Sequence, residues 1–112
     1  MTSEEKLKQA REWFEANSFK EITEGLLWRY YDAKTTVTMF LDLYLGEMVK
    51  WRCAVTVLLD GDDDSVSRTS VCCDALGETP RAAYTNAASD IRSKTVTVQD
   101  KLAYYIGQHK FN

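Results

Sequence analysis

The sequence predicts an α+β domain in which an antiparallel meander of about four strands carries an N-terminal helix and one or two C-terminal helices packed on the sheet. Three observations predict this. Polar and apolar side chains alternate from Thr35 to Leu59 with one break at Leu45-Gly46-Glu47, the period-two pattern of a half-buried hairpin. Thr2-Ser3-Glu4-Glu5 has the form of a capping box, followed by apolar residues at helical spacing. Thr79-Pro80 opens a second segment in which small apolar residues recur every three to four positions. At 112 residues, with no internal repeat or linker, the chain reads as a single domain over residues 1–112.

The first helix places Leu7, Ala10, Trp13 and Phe14 on one stripe, and its periodicity runs to about Ala16, where Asn17-Ser18 ends it. Ser18-Phe19-Lys20-Glu21 reads as the cap of a second short helical turn that Gly25 breaks, and Leu26 to Tyr31 then reads as a strand. In that strand Leu26, Trp28 and Tyr30 share one face, and Leu27, Arg29 and Tyr31 the other. Phe19, Ile22, Leu26 and Tyr30 also fit a period of 3.6, so helix stays an alternative there.

Asp32-Ala33-Lys34 is a turn into the hairpin. Val37, Met39, Leu41, Leu43, Val49, Trp51, Cys53, Val55 and Val57 form its apolar face; Thr36, Thr38, Phe40, Asp42, Tyr44, Lys50, Arg52, Ala54, Thr56 and Leu58 form the other. Asp60-Gly61-Asp62-Asp63-Asp64-Ser65 is rich in turn formers and leads to a fourth strand, Val66 to Ala75. Leu76-Gly77 supplies a glycine turn, Thr79 an N-cap and Pro80 the first helical residue. Ala83, Ala87 and Ile91, flanked by Tyr84 and Ala88, let the helix that follows lie close to a sheet. Ser93-Lys94-Thr95 interrupts, and Val98, Leu102, Tyr105 and Ile106 predict a terminal helix ending at Gly107.

Composition narrows the function classes. Hydrophobic residues at 45% and charged ones at 28% describe a folded globular chain, and a net charge of −3 argues against wholesale grip on nucleic acid. No apolar run reaches the ~20 residues of a membrane span and Met1 to Lys8 is polar, which predicts a cytoplasmic protein with no membrane association. The three cysteines, Cys53, Cys72 and Cys73, make a poor disulfide framework and read as free thiols packed as small hydrophobes. The acidic run at Asp60 lacks the spaced oxygens of a calcium loop, and no zinc-ligand spacing occurs, so no metal and no cofactor is expected. His109 is the single histidine and lies near the C-terminal end; no nucleophile elbow, phosphate loop or dinucleotide fingerprint is present. The expectation is a protein that is not an enzyme.

What remains is the second sheet face. With the strand phases above, it gathers Arg29, Tyr31, Phe40, Tyr44, Lys50, Arg52 and Arg68. Aromatic and arginine side chains are the usual anchors of a protein interface. Interleaved bases and rings also suit single-stranded nucleic acid, by stacking and phosphate neutralisation. Self-association through this face or an edge strand stays open as well.

The passage from Cys73 to Ala87, Cys-Asp-Ala-Leu-Gly-Glu-Thr-Pro-Arg-Ala-Ala-Tyr-Thr-Asn-Ala, resembles the strand, Gly-(Glu/Asp)-Thr-Pro and Ala-rich helix segment of small phage and prophage α+β proteins and of HicB-type antitoxins. In the antitoxins an acidic pair usually follows the Thr, where this chain has Arg81-Ala82. The order helix, strands, helix also resembles the double-stranded-RNA-binding domain, but the basic cluster at the start of that family's final helix is represented here by Arg81 alone. The phage resemblance implies a small viral protein acting in the host cytoplasm, an inhibitor or regulator of a host protein of the anti-CRISPR or anti-restriction type. An acidic surface of Glu4, Glu5, Glu12, Glu15, Glu21 and Glu24, with Asp60 to Asp64, offers such an inhibitor a phosphate mimic, but Lys6, Lys8, Arg11 and Lys20 are interspersed, which favours an ordinary solvated helix face. The expected function is therefore non-enzymatic occlusion of a host protein, with single-stranded nucleic-acid binding as the alternative.

Overall fold

A computed structural model describes residues 1–32, 35–59 and 69–92. Helix α1 (Ser3–Ala16) leads into strands β1 (Lys20–Thr23), β2 (Leu27–Tyr31), β3 (Thr35–Leu45), β4 (Met48–Leu59) and β5 (Thr69–Gly77), and helix α2 (Pro80–Arg92) follows. The strands form one antiparallel sheet in the order β1-β2-β3-β4-β5, a meander in which every strand pairs with its neighbour in sequence. The α+β meander is as expected, but the described residues form five strands where about four were expected. The predicted 60–65 hairpin tip, the start of the predicted fourth strand, Arg68, the terminal helix and His109 lie outside the described residues.

Local chemistry accounts for both helix starts. Thr2 caps α1, its Oγ1 accepting from the Glu5 amide at 3.2 Å. Thr79 does the same for α2, accepting from the Ala82 amide at 3.1 Å ahead of Pro80.

The additional strand follows from the way α1 ends. The Phe19 amide reaches back to the Phe14 carbonyl at 3.0 Å and the Ser18 amide to Glu15 at 3.4 Å, while Phe14 and Phe19 pack with ring centroids 5.3 Å apart. This is a Schellman closure, which needs a left-handed residue between the helix and the returning chain. Ser18 fills that position at φ +64°, where glycine would avoid a cost of about 1 kcal/mol. The reversal sends Lys20 out as a strand instead of starting a second helical turn. Glycine is used at the next turn, where Gly25 has φ +68° and Leu26 donates to Thr23 at 3.0 Å.

Both helices lie on one face of the sheet. Ala10 and Phe14 of α1 and Ala83, Tyr84, Ala87 and Ala88 of α2 join Trp28, Val37, Met39, Val49, Trp51, Cys53, Val55, Val57 and Cys73 in one core. Phe14 is 0% exposed, stacks on Trp28 at 4.8 Å and meets Trp51 edge-on at 5.1 Å, so α1 is fixed by an aromatic cluster. Arg11 ties the same helix to β1, 2.9 Å from Glu21 and 5.1 Å above the Trp28 ring.

Helix α2 approaches through its alanines and through Gly77. A Cβ at Gly77 would meet the backbone of Ala83, 2.7 Å from its Cα, and lie 2.8 Å from the Ala82 carbonyl carbon. Gly77 is the last residue of β5 and pairs with Trp51. Its role is close approach of helix to sheet rather than the turn geometry read from sequence.

One buried polar atom stands out. Thr35 Oγ1 has no hydrogen-bond partner among the described residues, although Thr35 is buried opposite Val57. An unsatisfied hydroxyl costs about 1–3 kcal/mol to bury. Thr35→Val, nearly equal in shape, is therefore expected to stabilise the fold, read as a higher urea midpoint with an unchanged slope. A lowered midpoint would show that the hydroxyl is satisfied after all.

Candidate functional site: the outer sheet face

Since α1 and α2 occupy one face, the other face of the described residues presents those that alternate against the core. Register places Leu27 opposite Phe40, Arg29 opposite Thr38 and Tyr31 opposite Thr36 across β2 and β3. Across β3 and β4 it sets Phe40 opposite Arg52, and across β4 and β5 Arg52 opposite Leu76 and Ala54 opposite Asp74. Five of the seven predicted site residues, Arg29, Tyr31, Phe40, Lys50 and Arg52, thus share the outer face.

Tyr44 does not join them. Leu41 pairs with Trp51 but Leu43 pairs with Lys50, so one extra residue, Asp42, bulges from β3. A one-residue slip exchanges the two faces of a strand. Tyr44 consequently lies opposite Val49 on the helix-covered side, and Leu43 moves to the outer face beside Lys50.

The centre of the face is an ion-paired arginine. Arg52 Nε donates to Asp42 Oδ1 at 3.2 Å and Nη1 to Asp74 Oδ2 at 3.0 Å, bridging β3, β4 and β5. The Asp74 and Asp42 carboxylates hold its pKa above the ordinary arginine value. Its guanidinium carbon also lies 6.0 Å from the Phe40 ring centroid, at the outer range of a cation–π contact. Arg52 is thereby oriented and locally neutralised. Asp42, the extra residue of the bulge that removes Tyr44 from this face, is one of the two carboxylates that hold Arg52.

Towards the β1 edge the character changes. Lys20 and Arg29 are direct cross-strand partners, and Arg29 Nε donates to Thr38 Oγ1 at 3.3 Å. Leu76 at the opposite edge is 39% exposed, and Tyr31 is 62% exposed. Sequence reasoning omitted Ser18, Lys20, Leu43, Asp74 and Leu76 from the face, and it put Leu27 there beside Arg29 and Tyr31 without counting it in the site. The signal for Lys20 was present in the β-branched pair Ile22-Thr23, which favours a strand.

Reactive groups elsewhere are occupied or isolated. Cys53 and Cys73 are buried as expected, but Cys72 is exposed rather than packed, because neighbours in a strand point to opposite faces; burial, with the nearby Cys73, pushes the Cys53 thiol far up. The Glu21 carboxyl is held below its ordinary value by the Gly25 amide, 3.0 Å away, and by Arg11. Burial and the neighbouring Asp32 carboxylate raise the Tyr30 phenol. A groove of about 380 Å3 between α1 and the start of α2 is lined by Lys6, Ala10, Trp13, Thr79, Pro80 and Arg81 among others. Among the described residues there is no cluster of three His, Cys, Asp or Glu side chains that could hold a metal ion, and no helix long and apolar enough to cross a membrane. Compared with known proteins, the chain matches no family model, no curated protein and no solved structure.

Proposed function

We propose that this is a non-enzymatic interaction protein that regulates or inhibits a larger protein by laying its outer sheet face over a working surface of that partner. The observation that supports this most directly is the pairing of Arg52 with Asp42 and Asp74 amid Leu27, Phe40, Leu43 and Leu76. A polyanion ligand favours unpaired cations, whereas a protein interface favours apolar area around an arginine whose charge is already balanced and whose geometry is set in advance. The helix-covered face supplies a rigid base for such a platform. The resemblance of residues 73–87 to small phage proteins makes a host protein the partner we favour, met in the cytoplasm of the host cell, with inhibition of an anti-CRISPR or anti-restriction type.

The test is affinity capture from host lysate followed by quantitative binding to the recovered partner. Phe40→Ala and Leu27→Asp are expected to weaken binding at least about 30-fold, the loss of a central anchor, while thermal stability changes little because both lie on the outer face. A partner bound equally well by both variants would sink the reading.

A second reading rests on Lys20, Arg29 and Tyr31, which place two cations and an exposed ring together at the β1 end of the face. That arrangement suits single-stranded nucleic acid. It requires salt-sensitive retardation of a labelled oligonucleotide, weakened by charge reversal at Lys20 and Arg29. No binding at low salt eliminates it.

A further inference from the structure

Ser18, Lys20, Ile22, Arg29 and Tyr31 enclose a notch of about 90 Å3 at the β1 end of the outer face. We infer that this notch is a binding site for a phosphate group carried on a planar organic part. The inference shares Lys20, Arg29 and Tyr31 with the nucleic-acid reading but does not need a polymer, and it is independent of the partner-docking reading, whose test residues Phe40 and Leu27 do not line the notch.

Four features converge. Lys20 and Arg29 stand directly opposite each other in the β1–β2 register, and like charges so placed repel unless something negative lies between them. Among the described residues no carboxylate lines the notch, and the two acidic residues next to its lining in sequence are engaged elsewhere. Glu21 lies 2.9 Å from Arg11 and accepts from the Gly25 amide, and Asp32 accepts from the Thr35 amide at 2.9 Å and from the Tyr30 hydroxyl. The pair of cations is therefore left with a place for an anion and, among the described residues, no carboxylate to fill it.

The size fits the same chemistry. At about 90 Å3 the notch has room for a small oxyanion, with a larger organic part extending beyond it. Tyr31 lines the mouth with a mostly exposed ring, a stacking surface for that projecting part. Arginine supplies a planar fork and lysine a point charge to the oxygens, with the Ser18 hydroxyl as a neutral donor.

Ser18 adds an argument of its own. It sits at φ +64°, a position where glycine closes a helix with less strain, yet the residue present lines the notch and carries a hydroxyl. Stability and ligand binding should therefore move in opposite directions on Ser18→Gly.

The experiment titrates the full chain with inorganic phosphate and with phenyl phosphate at constant ionic strength, followed by amide NMR shifts and by thermal melting. Saturable shifts are expected at residues 18–22 and 29–31, with phenyl phosphate the tighter ligand. Lys20→Gln and Arg29→Gln should each weaken both ligands about tenfold, the loss of one charge-assisted contact, while raising the melting temperature in phosphate-free, low-salt buffer by removing repulsion. Ser18→Gly should melt higher and bind more weakly, a combination that a purely structural role would not produce. Tyr31→Ala should abolish the advantage of phenyl phosphate and leave inorganic phosphate unchanged. Non-saturating shifts spread over the surface, or unchanged affinity in both glutamine variants, would overturn the site; equal affinity for the two ligands would overturn the part assigned to Tyr31.

Discussion

Phe14→Ala is expected to cost about 3–5 kcal/mol, the usual loss for emptying a fully buried phenylalanine site. A domain of this size has about 5–15 kcal/mol in total, so one substitution removes a large part of its stability. The reason lies in what the ring touches: it stacks on Trp28, meets Trp51 edge-on and packs against Phe19, joining α1 to β2, β4 and the segment that starts β1. These rigid rings belong to different elements and cannot close over the space together. Phe14→Leu keeps most of the volume and is expected to lose about 1.5 kcal/mol. Urea unfolding monitored by tryptophan fluorescence measures both. A cost below about 1 kcal/mol for the alanine variant would mean that α1 is not anchored by this cluster.

Gly77→Ala is expected to be the second most damaging change, at about 2–3 kcal/mol, and its sign is the informative part. Replacing glycine by alanine in a compatible backbone ordinarily stabilises by about 0.4–1 kcal/mol through the unfolded chain. Here the added Cβ meets main-chain atoms of Ala82 and Ala83, which cannot swing aside as a side-chain terminus would. Helix α2 would have to lift from β5, loosening Ala83, Tyr84, Ala87 and Ala88 together. The midpoint of thermal unfolding should fall by about 10 °C, and a rise would refute the close approach.

These two sites differ in how legible they were. Phe14 belongs to an amphipathic stripe with Leu7, Ala10 and Trp13, and its burial follows from spacing alone. Gly77 was visible as a glycine, but its partner is six residues on in a helix that folds back over it, and sequence order suggested a turn. Strand β1 escaped because four residues are too few to show a period, and because a serine, not a glycine, takes the left-handed position at the end of α1. The bulge at Asp42 escaped because each strand keeps its own alternation on either side. Only the pairing of Leu41 with Trp51 and Leu43 with Lys50 shows that the phase has changed.

The same distinction runs through the candidate site. Arg29, Tyr31, Phe40, Lys50 and Arg52 reached the outer face by simple alternation. Asp74, 22 positions beyond Arg52, converts that arginine from a free cation into a paired one. This changes the chemistry of the face more than any residue added to it.

By itself the sequence determined the capped starts of α1 and α2, the long β3–β4 hairpin and most of the apolar set that forms the core. All of these depend on hydrogen bonds and periodicities that span a few residues. Tertiary structure alone decided that both helices share one face, that Tyr44 leaves the outer face and Asp42 reaches Arg52, and that Lys20 stands against Arg29. Those outcomes depend on register and on the choice of which face to bury. Both are settled by contacts between segments far apart in the chain, where a shift of a single residue reverses every side chain beyond it.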